Sequence, residues 1–183
     1  MRRVLAAVVA IVTVASLAAC GSDSGGADSS TPSSFPGEPA GTQTYTGLAR
    51  THVDTEVDYP QTPPVGGPHN PVWQTCQFYD QPIHDETGVH SMEHGAVWIT
   101  YSPDLPADQV AELQALEPSN DYLLISPHAD LPSAVVATAW GKQLLLDSVD
   151  DPRLAQFVAL FEHGPQTPEQ GVPCQGGTTE LAT

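Results

Sequence analysis

The clearest apolar pattern is an alternation of short runs and stripes over residues 90–163. Ala96-Val97-Trp98-Ile99-Thr100-Tyr101 is a continuous run of strand formers. Behind Pro106, the segment ADQVAELQALE places Val110, Leu113 and Leu116 at near-helical spacing, and the preceding Asp104 and Pro106 fit a helix start. Residues 121–126 (DYLLIS) read as a buried strand. Residues 134–140 and 143–147, joined by Gly141-Lys142, read as a hairpin. Asp151-Pro152 opens a helix whose stripe is Leu154, Phe157, Val158, Leu160 and Phe161, with His163-Gly164-Pro165 as glycine cap and proline stop. The order strand, helix, strand, strand, strand, helix predicts an α+β fold. It implies a small, mainly antiparallel sheet with two helices packed on one face.

Upstream the pattern is weaker. Residues 42–59 alternate enough for one or two short strands. Residues 60–71 (PQTPPVGGPHNP) form a long proline/glycine-rich loop, and loops of that length are often functional when ordered. Residues 72–79 read as a strand or turn, and 80–88 as a polar connection. Residues 21–41 are rich in Ser, Gly, Asp, Thr and Pro and read as a flexible tether.

At the N-terminus, Met1-Arg2-Arg3 precedes an apolar run over residues 4–18 that is too short for a stable transmembrane helix. Leu17-Ala18-Ala19-Cys20 resembles a bacterial lipobox. That resemblance implies a signal peptide over 1–19, cleavage before Cys20, and a diacylglycerol on its sulfur. The expected organisation is a lipidated Cys20 with tether over 20–41, one domain over 42–177, and a C-terminal tail over 178–183. The expected location is the extracytoplasmic face of a cell membrane, reached through the N-terminal lipid.

Charge narrows the function. The chain carries a formal charge of −17. Cleavage would leave only Arg50, Lys142 and Arg153 as basic residues against 22 acidic ones. Such a balance excludes nucleic acid as a partner and favours attraction of cations. Cys76 and Cys174 remain after lipidation of Cys20, and two cysteines outside the cytoplasm predict a disulfide. The alternative is metal ligation by one thiolate, but neither cysteine has a zinc-site spacing. No Ser-His-Asp or Cys-His constellation, phosphate loop or basic patch can be placed.

The densest chemistry is Gly88 to Tyr101, GVHSMEHGAVWITY. On a helix, His90 and His94 would share a face, and H-x-x-E-H would match a metalloprotease motif with Glu93 as base. Gly88 and Gly95 bracket only six residues, however, and a strand run follows at once. The extended reading is therefore preferred. It lines His90, Met92 and His94 along one side, with two imidazoles and a thioether facing a metal. Soft thioether favours copper(I), while imidazole suits copper or zinc, so copper is somewhat favoured. Glu93 is then an orienting group or a further ligand.

The wider pattern resembles the domain-of-unknown-function family numbered 3105. The resemblance rests on His52-Val53, on Tyr59 with Pro63-Pro64-Val65-Gly66-Gly67-Pro68-His69, and on Trp73. It continues with Tyr79, Pro82-Ile83 and Val89-His90-Ser91-Met92-Glu93-His94-Gly95 running into Tyr101. The family commonly has Leu where Met92 stands, and Ser and Gly where this chain has Val65-Gly66-Gly67. The resemblance implies a histidine set of His52, His69, His90 and His94, which with Met92 and Glu93 makes a candidate transition-metal site. Three functions follow. The favoured one is an extracytoplasmic metal-handling protein binding copper or zinc. The others are an envelope interaction module with structural histidines and an unidentified protein partner, and a metal-dependent hydrolase.

Overall fold

A computed structural model describes residues 35–116 and 121–182. The expected signal peptide, Cys20 and most of the expected tether lie outside the described residues. The elements are β1 (Gln43–Thr44), α1 (Asp85–Glu93), β2 (Val97–Tyr101), α2 (Ala107–Leu116), β3 (Leu123–Pro127), β4 (Val135–Ala139), β5 (Lys142–Leu146) and α3 (Pro152–Phe161). The expected α+β class is the observed one. One five-stranded sheet has the order β1-β5-β4-β2-β3. All pairings are antiparallel except β2 with β3, which the α2 connection makes parallel.

Alternation splits the sheet residues between two faces. One face carries Val97, Ile99, Leu123, Ile125, Val135, Ala137, Leu144 and Leu146, packed with Leu113 of α2 and with Leu154, Phe157 and Phe161 of α3. Burying such side chains contributes on the order of 1.5–3 kcal/mol each. Helix α3 starts as its sequence predicts: the Asp151 side chain accepts the Arg153 N–H at 2.9 Å and Pro152 occupies the first turn. Its end differs from expectation. Glu162 is the C-cap, and His163 rather than Gly164 takes the left-handed conformation, at φ 48°.

The opposite face presents Trp98 and Leu124, which pack with Val89 and Met92 of α1. This is the main correction to the sequence reading. Residues 80–88 are not simply a connection and 90–94 are not extended: Asp85–Glu93 is a helix with Asp85 and Glu86 in its first turn. The expected pair of helices, α2 and α3, does share one face, and α1 is a third helix covering the other. Its residues 87–93 are all buried, so it shows no one-sided apolar stripe.

The rest of that second face is covered by chain with little regular structure. Between β1 and α1 only isolated bridges occur, where His52 pairs with His69, Gln74 with Thr178, and Phe78 with Ile125. Cys76 and Cys174 form the expected disulfide, closing 98 residues. Thr178 N–H donates to Trp73 O and Ala182 N–H to Pro82 O, both at 2.9 Å, which holds residues 178–182 against this layer. At the other end, Phe35 lies edge-on to Phe161 and Glu38 pairs with Lys142 at 2.9 Å, within the stretch whose composition reads as tether.

Candidate metal centre

Helix α1 is set against the sheet at a glycine. A Cβ on Gly88 would come within 2.9 Å of Trp98 Cζ3, so only a bare Cα lets the helix lie on that indole. The Thr87 hydroxyl donates to Gln74 Oε1 at 2.8 Å and the Ser91 hydroxyl to Gln74 O at 2.7 Å. Gly95, at φ 108°, ends the helix, its N–H donating to Met92 O. With Val89 and Met92 facing the apolar cluster, positions 90, 93 and 94 share a side of the helix at i, i+3, i+4 spacing. Met92 lies about 200° round the helix from His90 and is fully buried in the apolar cluster. The extended His90-Met92-His94 face therefore does not form.

Two further histidines come from the irregular layer. Val53 N–H donates to His69 O at 2.7 Å and His69 N–H to Thr51 O at 3.0 Å, a bridge that sets His52 beside His69. The ring centroids of His52, His69 and His90 lie 4.9 Å from one another, and His94 lies 4.7 Å from His90. Glu93 reaches the group from α1, with Oε2 at 2.8 Å from His69 Nε2.

Three of these rings are oriented by backbone carbonyls. His69 Nδ1 faces Gly67 O at 2.8 Å, His90 Nδ1 faces Asn70 O at 2.7 Å, and His94 Nδ1 faces Pro173 O at 3.0 Å. A carbonyl only accepts, so each Nδ1 carries the hydrogen and the neutral ring keeps its lone pair on Nε2. Burial favours that neutral form in His90 and His94. It is the chief cause that brings His90 down to about 4, opposed by the Asn70 carbonyl and helped by the neighbouring histidines. His94 is likewise lowered, chiefly by burial. Burial also raises the Glu93 carboxyl, partly opposed by His69 and by Arg50. The Arg50 guanidinium Nε lies 3.9 Å from Glu93 Oε1.

The donor atoms fall into two groups, each with all members within 4.8 Å of one another: His52, His69, His90 and Glu93, and then His90, His94 and Glu169. His69, His90 and Glu93 are buried, while His52 is exposed. The His69 Nε2 atom is buried and makes no hydrogen bond, since its short approach to Glu93 Oε2 is not aligned as one. The helical pair His90 and His94 meets in the second group, while Glu93 of the same H-x-x-E-H run belongs to the first as a donor. His84, His128 and His163 stand apart, with His128 bonded to Asp85 at 3.0 Å.

Glu169 was not visible as a site residue, because it sits in a proline- and glycine-rich segment without periodicity. Its one signal is proximity to Cys174, since a disulfide to Cys76 fixes that segment near Trp73. The Glu169 N–H indeed donates to Glu93 O at 3.0 Å, and Trp73 Nε1 donates to Cys174 O at 3.2 Å. The carbonyls of Gly67, Asn70 and Pro173 leave no mark in a sequence at all.

No curated protein and no solved structure matches the chain. A family model described as "Protein of unknown function (DUF3105)" matches residues 51–176, a span that takes in every residue of both donor groups and the disulfide. The chain belongs to that family.

Proposed function

We propose that this protein binds one transition-metal ion through His52, His69 and His90 Nε2 and the Glu93 carboxylate, and handles that ion outside the cytoplasm. The observation that carries the reading is His69 Nε2. It is a lone-pair atom buried from water, without a hydrogen bond, 2.8 Å from a carboxylate oxygen. Two acceptors held that close repel unless a cation or proton lies with them. Metal bonds of about 2.0–2.2 Å bring ligand atoms into this range of separations. Backbone carbonyls that fix the Nδ1–H tautomer are what metal-ligating imidazoles ordinarily have behind them.

The donor set is imidazole with one carboxylate, and Met92 is turned away into the apolar cluster. The thioether argument for copper(I) therefore falls, and copper(II) and zinc(II) are the ions that suit such donors. Lipid attachment through Cys20 would hold the site at a membrane surface, where the acidic chain concentrates cations.

Calorimetric titration of the purified protein with copper(II) and zinc(II), beside a His69→Ala/His90→Ala variant, tests the reading. The expected result is one equivalent bound by the wild type and lost in the variant. Binding no tighter than about 10 µM for either ion, with the variant merely less stable, would leave the histidines as framework.

A further inference from the structure

We propose that His94 and Glu169 form an outer position through which the ion reaches the inner one, with His90 as the donor common to both. The inference rests on the metal-binding reading above and adds a route to it. His90 belongs to both donor groups. Its Nδ1 is committed to Asn70 O at 2.7 Å, so only Nε2 can ligate, and one lone pair serves one ion at a time. The two groups therefore cannot both hold an ion with their full donor sets. They are successive positions for a single ion.

Exposure gives the order. The Glu169 side chain is 44% exposed, whereas among the inner donors Glu93 is 3% and His69 0%, and only His52 reaches the surface. His94 is buried, and its Nε2 lies 3.7 Å from Glu169 Oε2, too far for a hydrogen bond and within reach of a shared ion. The charges agree with the order. On the side of His52, an approaching cation meets Arg50, whose side chain is 56% exposed and whose Nε lies 3.9 Å from Glu93 Oε1. On the other side it meets the Glu169 carboxylate. A surface carboxylate at the mouth and a guanidinium at the alternative opening direct a cation along one path. His90 then passes from the outer donors to the inner ones without a change of its own backbone anchor.

Stopped-flow uptake of cobalt(II), read by its ligand-field absorption and then by chelator-driven release, tests the route in the full-length protein. Glu169 is exposed, so Glu169→Gln leaves the packing intact. The expected result is one cobalt(II) bound, with association slowed about tenfold and release slowed with it. Unchanged rates in Glu169→Gln would overturn the route while leaving the inner site standing. So would two cobalt(II) ions bound at once by the wild type. Faster release with unaltered association would make Glu169 a simple ligand of a resting site, and would also overturn the route. A wild type that binds neither cobalt(II) nor, in the calorimetric titration, copper(II) or zinc(II) overturns this inference and the metal reading together; one that binds either of those two ions but takes up no cobalt(II) overturns the route alone.

Discussion

The two faces of the sheet are built on different terms. Beneath α2 and α3 the inward residues are aliphatic or aromatic but for Lys142, which lies over the Phe35 and Phe161 rings and pairs with Glu38, and their packing otherwise needs no individual partner. Beneath α1 and the irregular layer, Trp98 and Leu124 alternate with buried Thr100, Ser126, Thr138 and Gln143. There polar groups are matched singly: Trp98 Nε1 donates to Ser126 Oγ at 3.0 Å, Thr100 Oγ1 to Val136 O at 3.3 Å, and Gln143 Nε2 to Pro63 O at 3.0 Å. The first face supplies non-directional cohesion. The second fixes the position of chain that has no ladder of its own, because a buried polar group left unmatched costs about 1–3 kcal/mol. The histidine centre extends that second network, each ring held by a particular carbonyl.

If the comparison is right, the second face depends on its covalent tie far more than the first. A Cys76→Ser/Cys174→Ser variant should lose about 4–5 kcal/mol, the chain-entropy value for a loop near 100 residues. The midpoint of urea unfolding reads this. Hydrogen exchange then separates the faces: amides of α1 and residues 69–76 should gain exchange well before those of β4 and α3. Equal loss of protection on both faces would show that the two layers unfold as one and that the distinction has no energetic content.

A smaller effect comes from the contact that seats α1. Gly88→Ala puts a methyl 2.9 Å from the Trp98 ring, and overpacking of this kind costs about 1–3 kcal/mol. Alanine favours helix over glycine by about 1 kcal/mol, so a net stabilisation would mean the helix shifts freely on the indole. The expected outcome is net destabilisation with weakened zinc(II) binding, since His90 and Glu93 ride on the same helix.

The first face was legible in the sequence and the second was not, for the same physical reason. Residues 96–101 and the hairpin around Gly141 are buried on both faces and show as continuous apolar runs, and the Leu154-Phe157-Phe161 stripe buries one side of its helix, so the apolar pattern marks them. Helix α1 is buried all round, with His90, Ser91, Glu93 and His94 covered by loops, and such a helix has no polar stripe to betray its period. The histidines themselves were legible as a set, and His52, His69 and His90 do converge. An extended segment would put Met92 beside them, but the helical turn carries it to the opposite side, into the apolar cluster. Glu169 joined the site only through the tertiary path of a disulfide-anchored segment.

Substitution of Glu93 separates a framework carboxylate from a ligating one. Glu93 is buried with His69 misaligned and Arg50 at 3.9 Å, so its charge is poorly compensated without an ion. Glu93→Gln removes that charge at nearly constant shape. Stability of the metal-free protein should rise by about 1 kcal/mol, in the direction seen when buried charges are replaced. The stabilisation given by zinc(II), about 2.7 kcal/mol at a hundredfold excess over Kd in an unaltered site, should shrink sharply. A framework ion pair predicts the opposite sign in the metal-free protein, with a loss of about 3–5 kcal/mol. Thermal unfolding with and without zinc(II) decides between them.

The smallest expected effect lies at the other end of α1, where a histidine behaves in the opposite way. His128 Nε2 sits 3.0 Å from Asp85 Oδ1. Burial pulls its pKa down, but the hydrogen bond and charge of Asp85 outweigh burial and hold it above the ordinary value of 6.5. The folded protein therefore binds this proton more tightly than the unfolded chain. The stability it contributes is fully present below about pH 6.5 and is lost as pH rises through the raised folded value. His90, lowered to about 4, has the reverse sign: its contribution is present above about pH 6.5 and is lost as pH falls toward 4. Asp85→Asn isolates the first effect, because it leaves the histidine centre untouched. Urea unfolding of the metal-free protein should show the variant less stable than wild type at pH 5.5 by under about 1 kcal/mol, the scale of a partly exposed pair. The two should converge by pH 9. A deficit of the same size at both pH values would mean that Asp85 acts through the first turn of the helix, by its position near the helix N-terminus, and not through His128.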